Sequence, residues 1–191
     1  MSTFQFKIQI KYIDNPPVWR RLLIAGDTTF HEFHEIIQVA FEWENSHMYQ
    51  FSPKGWGSKP VITLSEYEKQ DELDSPEVKL SEIFTKRGQT YMYIYDFGDD
   101  WKHDIKLEKI IPEPVLYPTC TGGEGAGPIE DSGGAPGYAN LLAVTSDPDN
   151  PDYDELRGWV GLEDDEDLDA GYFNMDELNE DLREWKLAEE S

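Results

Sequence analysis

Cysteine is almost absent: Cys120 is the only one in 191 residues. No internal disulfide can form, so packing must carry the fold, as in a reducing compartment. Long apolar runs are missing as well. No stretch approaches the ~20 residues of a membrane-spanning helix, and the opening MSTFQFKIQIKYI alternates instead of building a signal-peptide core. A cytoplasmic location without membrane association is expected. Positive charge is scarce too, with 16 Lys and Arg against 40 Asp and Glu, a formal net charge of −24. Residues 124–191 hold 21 acidic and 3 basic side chains, contributing −18 of that total. Such a field repels a phosphate backbone, which disfavours direct nucleic-acid binding.

Apolar and aromatic material is plentiful. Hydrophobic residues make up 38% of the chain and aromatics 13%, too much for a disordered acidic tail. The length suits one domain over residues 1–191, with an acidic helical portion from about residue 137. Phe4, Phe6, Ile8 and Ile10 alternate with polar residues, the period-two pattern of a half-buried strand. Asn15-Pro16-Pro17 breaks it, and residues 18–24 read as an antiparallel partner. Thr29 with Glu32 forms a capping box for a helix whose apolar face is Phe30, Phe33, Ile37, Ala40 and Phe41, ending near Trp43. His31 reads as surface and His34 as core-edge. Residues 47–51 read as a strand and 53–81 as a long excursion. Residues 91–97 and 101–111 are strongly strand-like and joined by a tight turn at Gly98-Asp99-Asp100. Residues 117–137 read as a Gly- and Pro-rich loop. Helices follow at 138–144, after Asn150-Pro151, and from Asn174 through Trp185. The order ββα, strands, then helices predicts an α+β class, an α/β roll with a mixed, mainly antiparallel sheet, an N-terminal ββα unit, a central hairpin and C-terminal helices.

The chemistry-bearing residues gather around that hairpin. With a two-residue loop, Asp96 shares a face with His103, and a carboxylate there would raise the imidazole pKa and fix its tautomer. Asp96 and His103 are therefore the catalytic candidates, although a structural polar pair explains the same residues and is preferred. The loop Cys120, Glu124, Glu130 and Asp131 is expected to approach the hairpin. His103, Cys120, Glu130 and Asp131 are the metal-ligand candidates, against which stands the lack of a CxxC partner for Cys120. Tyr95, Asp99, Asp100, Trp101, Glu130 and Asp131 are the binding candidates. Gly122, Gly123, Gly125 and Gly127 lack the Lys-Ser/Thr of a phosphate cradle. Asp165, Asp167 and Asp169 imitate a calcium loop, but Ala170 and Asp176 occupy the positions needing Gly and Glu. No nucleophile elbow is present.

The segments PPVWRRLLI (16–24), WENSHMYQF (43–51), YDFGDDWKHDIKLE (95–108) and CTGGEGAGPIEDSGGAPGY (120–138) together resemble the plasmid pRiA4b ORF-3-like family. The resemblance spans nearly the whole chain, with the Trp-Arg strand, the DFGDDW-x-H hairpin and the P-x-E-D-x-G-G loop in order. It implies an α+β roll, an association with mobile elements, and no assigned biochemical activity. The chain departs from the family's usual pattern at Gly127, where a cysteine is common, and at Ile129, where a proline is. The preferred reading is a binding or interaction module in which an aromatic-acidic groove, between hairpin and Gly-rich loop, takes a protein or small polar ligand. One alternative is a metal-assisted or acid-base hydrolase using Asp96 and His103 with Glu130 and Asp131. Another is an acidic decoy for a DNA-binding partner. The sequence specifies no cofactor.

Overall fold

A computed structural model of the chain describes residues 2–64, 71–163 and 165–189. Strand β1 (Thr3–Asp14) buries Phe4, Phe6, Ile8 and Ile10 as its alternation requires, and β2 (Pro17–Ala25) pairs with it antiparallel, Phe6 opposite Leu22. Helix α1 (Phe30–Phe41) opens on the capping box: Thr29 Oγ accepts from the Glu32 amide at 3.1 Å and Glu32 accepts from the Thr29 amide at 2.7 Å. It ends where Glu42 turns left-handed at φ 62°. The remaining elements are β3 (Tyr49–Ser52), β4 (Val61–Thr63), β5 (Glu72–Asp74), α2 (Leu80–Ile83), β6 (Thr90–Tyr95), β7 (Trp101–Ile111), β8 (Thr119–Glu124), α3 (Gly134–Thr145), α4 (Tyr153–Val160) and α5 (Met175–Glu189).

One mixed sheet runs β5-β4-β3-β6-β7-β1-β2-β8, antiparallel throughout except for the β4–β5 pair. The α+β class expected from the sequence is the class observed. Helix α1 lies over the sheet's apolar face through a cluster of buried rings. Phe6 meets Phe33 and Phe84 at 5.1 and 4.8 Å, and Phe51 meets Phe30 and Phe33 at 5.0 and 5.6 Å between centroids. Each such ring contributes about 1.5–3 kcal/mol through burial alone, so α1 is a firm anchor for the segment that leads from it to β3. No helix among the described residues is long and apolar enough to cross a membrane.

Three stretches differ from expectation. The excursion at 53–81 contains β4, β5 and α2, with β4 and β5 extending the sheet; its residues 65–70 lie outside the described part. The loop at 117–137 contains β8, whose TCTGGE sequence has little strand propensity. Its pairing is imposed by the open edge of β2, with Cys120 opposite Leu22. Asn179 of α5 then closes the outer side of β8, accepting from the Cys120 amide at 2.7 Å and donating to its carbonyl at 3.1 Å. Helix α4 starts at Tyr153, two residues beyond Pro151, because Asn150 accepts from the Asp152 amide and spends a turn before the helix.

Candidate functional site

The hairpin register decides the first candidate pair. Tyr95 stands opposite Trp101 and Tyr93 opposite His103, so the loop comprises the five residues 96–100. The Asp100 amide donates to the Asp96 carbonyl at 2.7 Å, and the Gly98 amide to Asp96 Oδ1 at 2.8 Å. Asp96 and Asp100 both take left-handed backbones, φ 53° and 58°, which short polar side chains tolerate. The loop is therefore longer than the two-residue loop on which a pairing of Asp96 with His103 depends, and Asp96 does not face His103. His103 is fully buried, its ring against Phe41, Trp43 and Tyr93. Burial pushes its pKa down to about 3. With Nδ1 donating to the Trp101 carbonyl at 3.1 Å, Nε2 carries no proton and has no partner. A sealed neutral imidazole of this kind packs; it does not shuttle protons to a substrate.

Trp101 and Tyr95 are also core residues, 1% and 0% exposed, so neither lines an open groove. The Tyr95 hydroxyl donates to Glu130 Oε1 at 2.5 Å and accepts from the Ser46 amide at 3.0 Å. Burial, then the Glu130 carboxylate, holds its pKa above the ordinary phenol value. Glu130 Oε2 accepts from the Glu44 amide at 2.6 Å, and the Trp43 indole donates to the Pro128 carbonyl at 2.7 Å. Glu130 therefore fastens the 128–131 loop to the segment after α1. Asp99 fastens the same loop to the hairpin, accepting from the Gly133 amide at 2.9 Å. Gly134 lies so close that a Cβ there would sit 2.3 Å from the Asp99 carbonyl oxygen. At Gly127 a Cβ would sit 2.0 Å from the Phe41 carbonyl oxygen, so any side chain at that position requires the backbone to shift. The groove expected between hairpin and loop is filled by this direct contact. Cys120 does not approach it. It is buried in β8, three strands and ~14 Å from β7, with burial raising its pKa. Asp100 accepts from the Trp56 indole at 2.7 Å and pairs with Lys102.

The docked loop brings together three side chains from three connections. His47 comes from the α1–β3 segment, Asp96 from the hairpin loop and Asp131 from the loop after β8. Their donor atoms all lie within 4.8 Å of one another. His47 Nε2 is 3.1 Å from Asp131 Oδ1 and 3.8 Å from Asp96 Oδ2. The nitrogen is shielded from solvent, yet the ring is not aligned for a hydrogen bond to either carboxylate. Asp131, like Asp96, is left-handed, at φ 58°. Sequence reasoning found both aspartates and missed His47, which it absorbed into a strand that begins two residues later. The available signal was its place in the ENSH segment, just beyond the helix end.

Beside His47 opens a cleft of about 580 Å³. Its floor is a polar relay on α1 and the sheet. Gln38 Nε2 donates to the Tyr93 hydroxyl at 2.9 Å, which lies 2.7 Å from His34 Nδ1, while His34 Nε2 meets Asn45 Oδ1 at 2.6 Å. These partners are consistent with a neutral His34 protonated at Nε2, and burial pushes its pKa down to about 3. Its ring stacks on Tyr49 at 3.6 Å, and the Tyr49 hydroxyl joins His31 Nδ1 at 2.9 Å and Ser75 at 2.6 Å. His31 is half-buried where the sequence reads it as surface, and His34 is fully buried where the sequence reads it as core-edge. Gln50 also lines the cleft and is 7% exposed, yet its Nε2 has no partner. Met48, Leu64 and Phe97 form an apolar rim, 69%, 53% and 37% exposed.

The family model of the plasmid pRiA4b ORF-3-like protein matches residues 2–180. The chain is similar to the uncharacterized protein y4hQ of Sinorhizobium fredii (strain NBRC 101917 / NGR234), 29% identical over 192 residues, covering 95% of this chain and 92% of that protein. It is also similar to the crystal structure of MM3350 from Methanosarcina mazei Go1, a protein of unknown function. That likeness has a TM-score of 0.77 at 34% identity and covers 92% of this chain and 97% of the other. The contact between the DFGDD turn and the P-x-E-D-x-G-G loop falls within the matched residues, and the chain belongs to the plasmid pRiA4b ORF-3-like family.

Proposed function

We propose that this protein is a binding module whose cleft between His31, His47, Gln50 and Phe97 takes a small organic ligand with a neutral hydrogen-bond acceptor and an apolar body. The observation that carries this is Gln50. A buried amide nitrogen without a partner costs about 1–3 kcal/mol, and Gln50 Nε2 is in that state in the wall of a cleft. A ligand carbonyl would relieve it once the Gln50 amide turns outward into the cleft that the residue lines. The volume lies in the range of small-molecule sites, and the rim of Met48, Leu64 and Phe97 offers the apolar contact. A carboxylate or phosphate acceptor is disfavoured because Glu72 lines the same cleft and the chain carries −24. The acid-base alternative through Asp96 and His103 is not carried forward, since His103 is sealed in the core.

The reading is tested by ligand-observed NMR with a panel of neutral amides and lactams, matched carboxylates and matched hydrocarbons. Amides should show saturation transfer, carboxylates should not, and Gln50→Leu should abolish the amide signal while keeping the fold. Equal signals for wild type and Gln50→Leu would refute it.

A further inference from the structure

We propose that His47, Asp96 and Asp131 form a binding site for a divalent transition-metal ion at the end of the cleft. Donors 2.0–2.1 Å from a tetrahedral ion stand about 3.3 Å apart, and about 2.9 Å apart on an octahedral one. The 3.1 and 3.8 Å separations from His47 Nε2 bracket the tetrahedral value, and the whole triad spans no more than 4.8 Å. Closing onto an ion requires the widest separation in the triad to shrink by at most about 1.5 Å, a movement shared between two side chains.

The neighbouring groups agree with such a role. Asp96 Oδ1 is held by the Gly98 amide, which leaves Oδ2 directed at His47. His47 is the sole ion-pair partner of either aspartate among the described residues. Two carboxylates are thus held together with no Lys or Arg between them, an arrangement that repels itself until a cation enters. His47 Nε2 lies 3.1 and 3.8 Å from the two carboxylates without an aligned N–H···O bond to either. A metal ion needs only the lone pair. Glu130 is not a ligand, because Tyr95 and the Glu44 amide occupy both of its oxygens. Three protein ligands leave at least one coordination position for water or another donor. One nitrogen among oxygen donors favours first-row transition ions over magnesium and calcium.

The probe is the metal alone, so the outcome is independent of what the cleft binds. Co²⁺, Zn²⁺ and Mn²⁺ are titrated into metal-stripped full-length protein by calorimetry, with Mg²⁺ and Ca²⁺ for comparison, and Co²⁺ binding is followed by its visible d–d bands. One equivalent should bind. His47→Ala and Asp131→Asn should each weaken the Kd by at least about 10–100-fold and erase the bands, while Cys120→Ser leaves both unchanged. Asn tolerates the left-handed backbone at 131 as Asp does, so Asp131→Asn separates loss of a ligand from loss of the fold, which far-ultraviolet circular dichroism checks. Absence of stoichiometric binding in the wild type, or binding that survives both substitutions, would overturn the proposal.

Discussion

Arg20 lies in β2 with 1% exposure and four backbone carbonyls around its guanidinium. Nε donates to Ala40 at 3.0 Å, and one terminal nitrogen donates to Trp19 and Glu124 at 3.0 Å and to Gly125 at 2.9 Å. The group also packs over Phe41 and Phe173, 5.1 and 4.4 Å from the ring centroids. One side chain thereby ties the C-terminal end of α1 to the end of β8, where the chain departs for Asp131. Arg20→Met keeps the stem and removes the donors. The Ala40 and Gly125 bonds are buried, and two buried carbonyls left unpaired cost about 1–3 kcal/mol each. Part of that loss is offset because a charge no longer has to be desolvated, a burden visible in the arginine pKa, which burial lowers to about 10. The expected destabilisation is about 2–4 kcal/mol. Arg20→Lys separates charge from geometry. It retains a cation but not the fork that reaches both Ala40 and Gly125, so it keeps the desolvation penalty and loses the compensation. It should be no more stable than Arg20→Met. Urea unfolding of the three proteins with shared m-values measures this. A lysine variant within about 1 kcal/mol of wild type would refute the reasoning and assign the role of Arg20 to its charge.

Two more outcomes rest on buried groups and close approaches. His34 and His103 are held neutral in the fold, both pushed to about 3, whereas an unfolded histidine titrates near 6.5. Below ~6.5 the unfolded chain takes up protons that the native state refuses. The stability present above that pH should therefore fall as the pH drops towards 3, by up to ~1.4 kcal/mol per unit for each histidine. His103→Phe should about halve the slope measured by denaturant melts over the first pH unit below that point; an unchanged slope would show that His103 is not sealed. Gly134→Ala meets both a left-handed φ of 67° and the Asp99 carbonyl, whereas Gly133→Ala meets only a φ of 88°. The first should lower Tm several degrees more than the second and weaken metal binding at Asp131, and equal behaviour would mean that the loop does not depend on its seat against the hairpin.

The parts of the fold that the sequence announced are those in which local pattern and tertiary demand coincide. The alternation of β1 and the Thr29–Glu32 box satisfy their own backbones and also face the core, so propensity and burial agree. Strand β8 was hidden because its stability comes from the edge of β2 and from Asn179, distant in sequence. The hairpin turn was misjudged for a related reason. Gly98-Asp99-Asp100 carries the composition of a tight turn, but the Asp96 amide donates to the Met48 carbonyl and draws Asp96 out of the ladder towards β3. That one non-local bond accompanies the change from a pair with His103 to a pair with His47. The binding candidates Tyr95 and Trp101 were misplaced because composition does not distinguish a buried aromatic from an exposed one.

The same charge that argues against nucleic acid bears differently on the two sites now in view. A chain at −24 raises the local concentration of cations and depletes anions, an effect that weakens beyond the ~8–10 Å of the Debye length at moderate salt. At the His47 triad two carboxylates add to this field at contact distance, so the global and local terms both favour a divalent cation. In the adjoining cleft the same field opposes an anionic ligand while leaving a neutral amide unaffected, and Gln50 presents an amide rather than a cation to receive it. A divalent ion in the triad would cancel the charge of its two carboxylates and so lower, without reversing, the local repulsion of an anionic ligand. The expected outcome is that carboxylates gain saturation transfer in metal-loaded over metal-stripped protein, and that Asp131→Asn removes the gain; no difference between the two forms would show that the triad's charge does not reach the cleft.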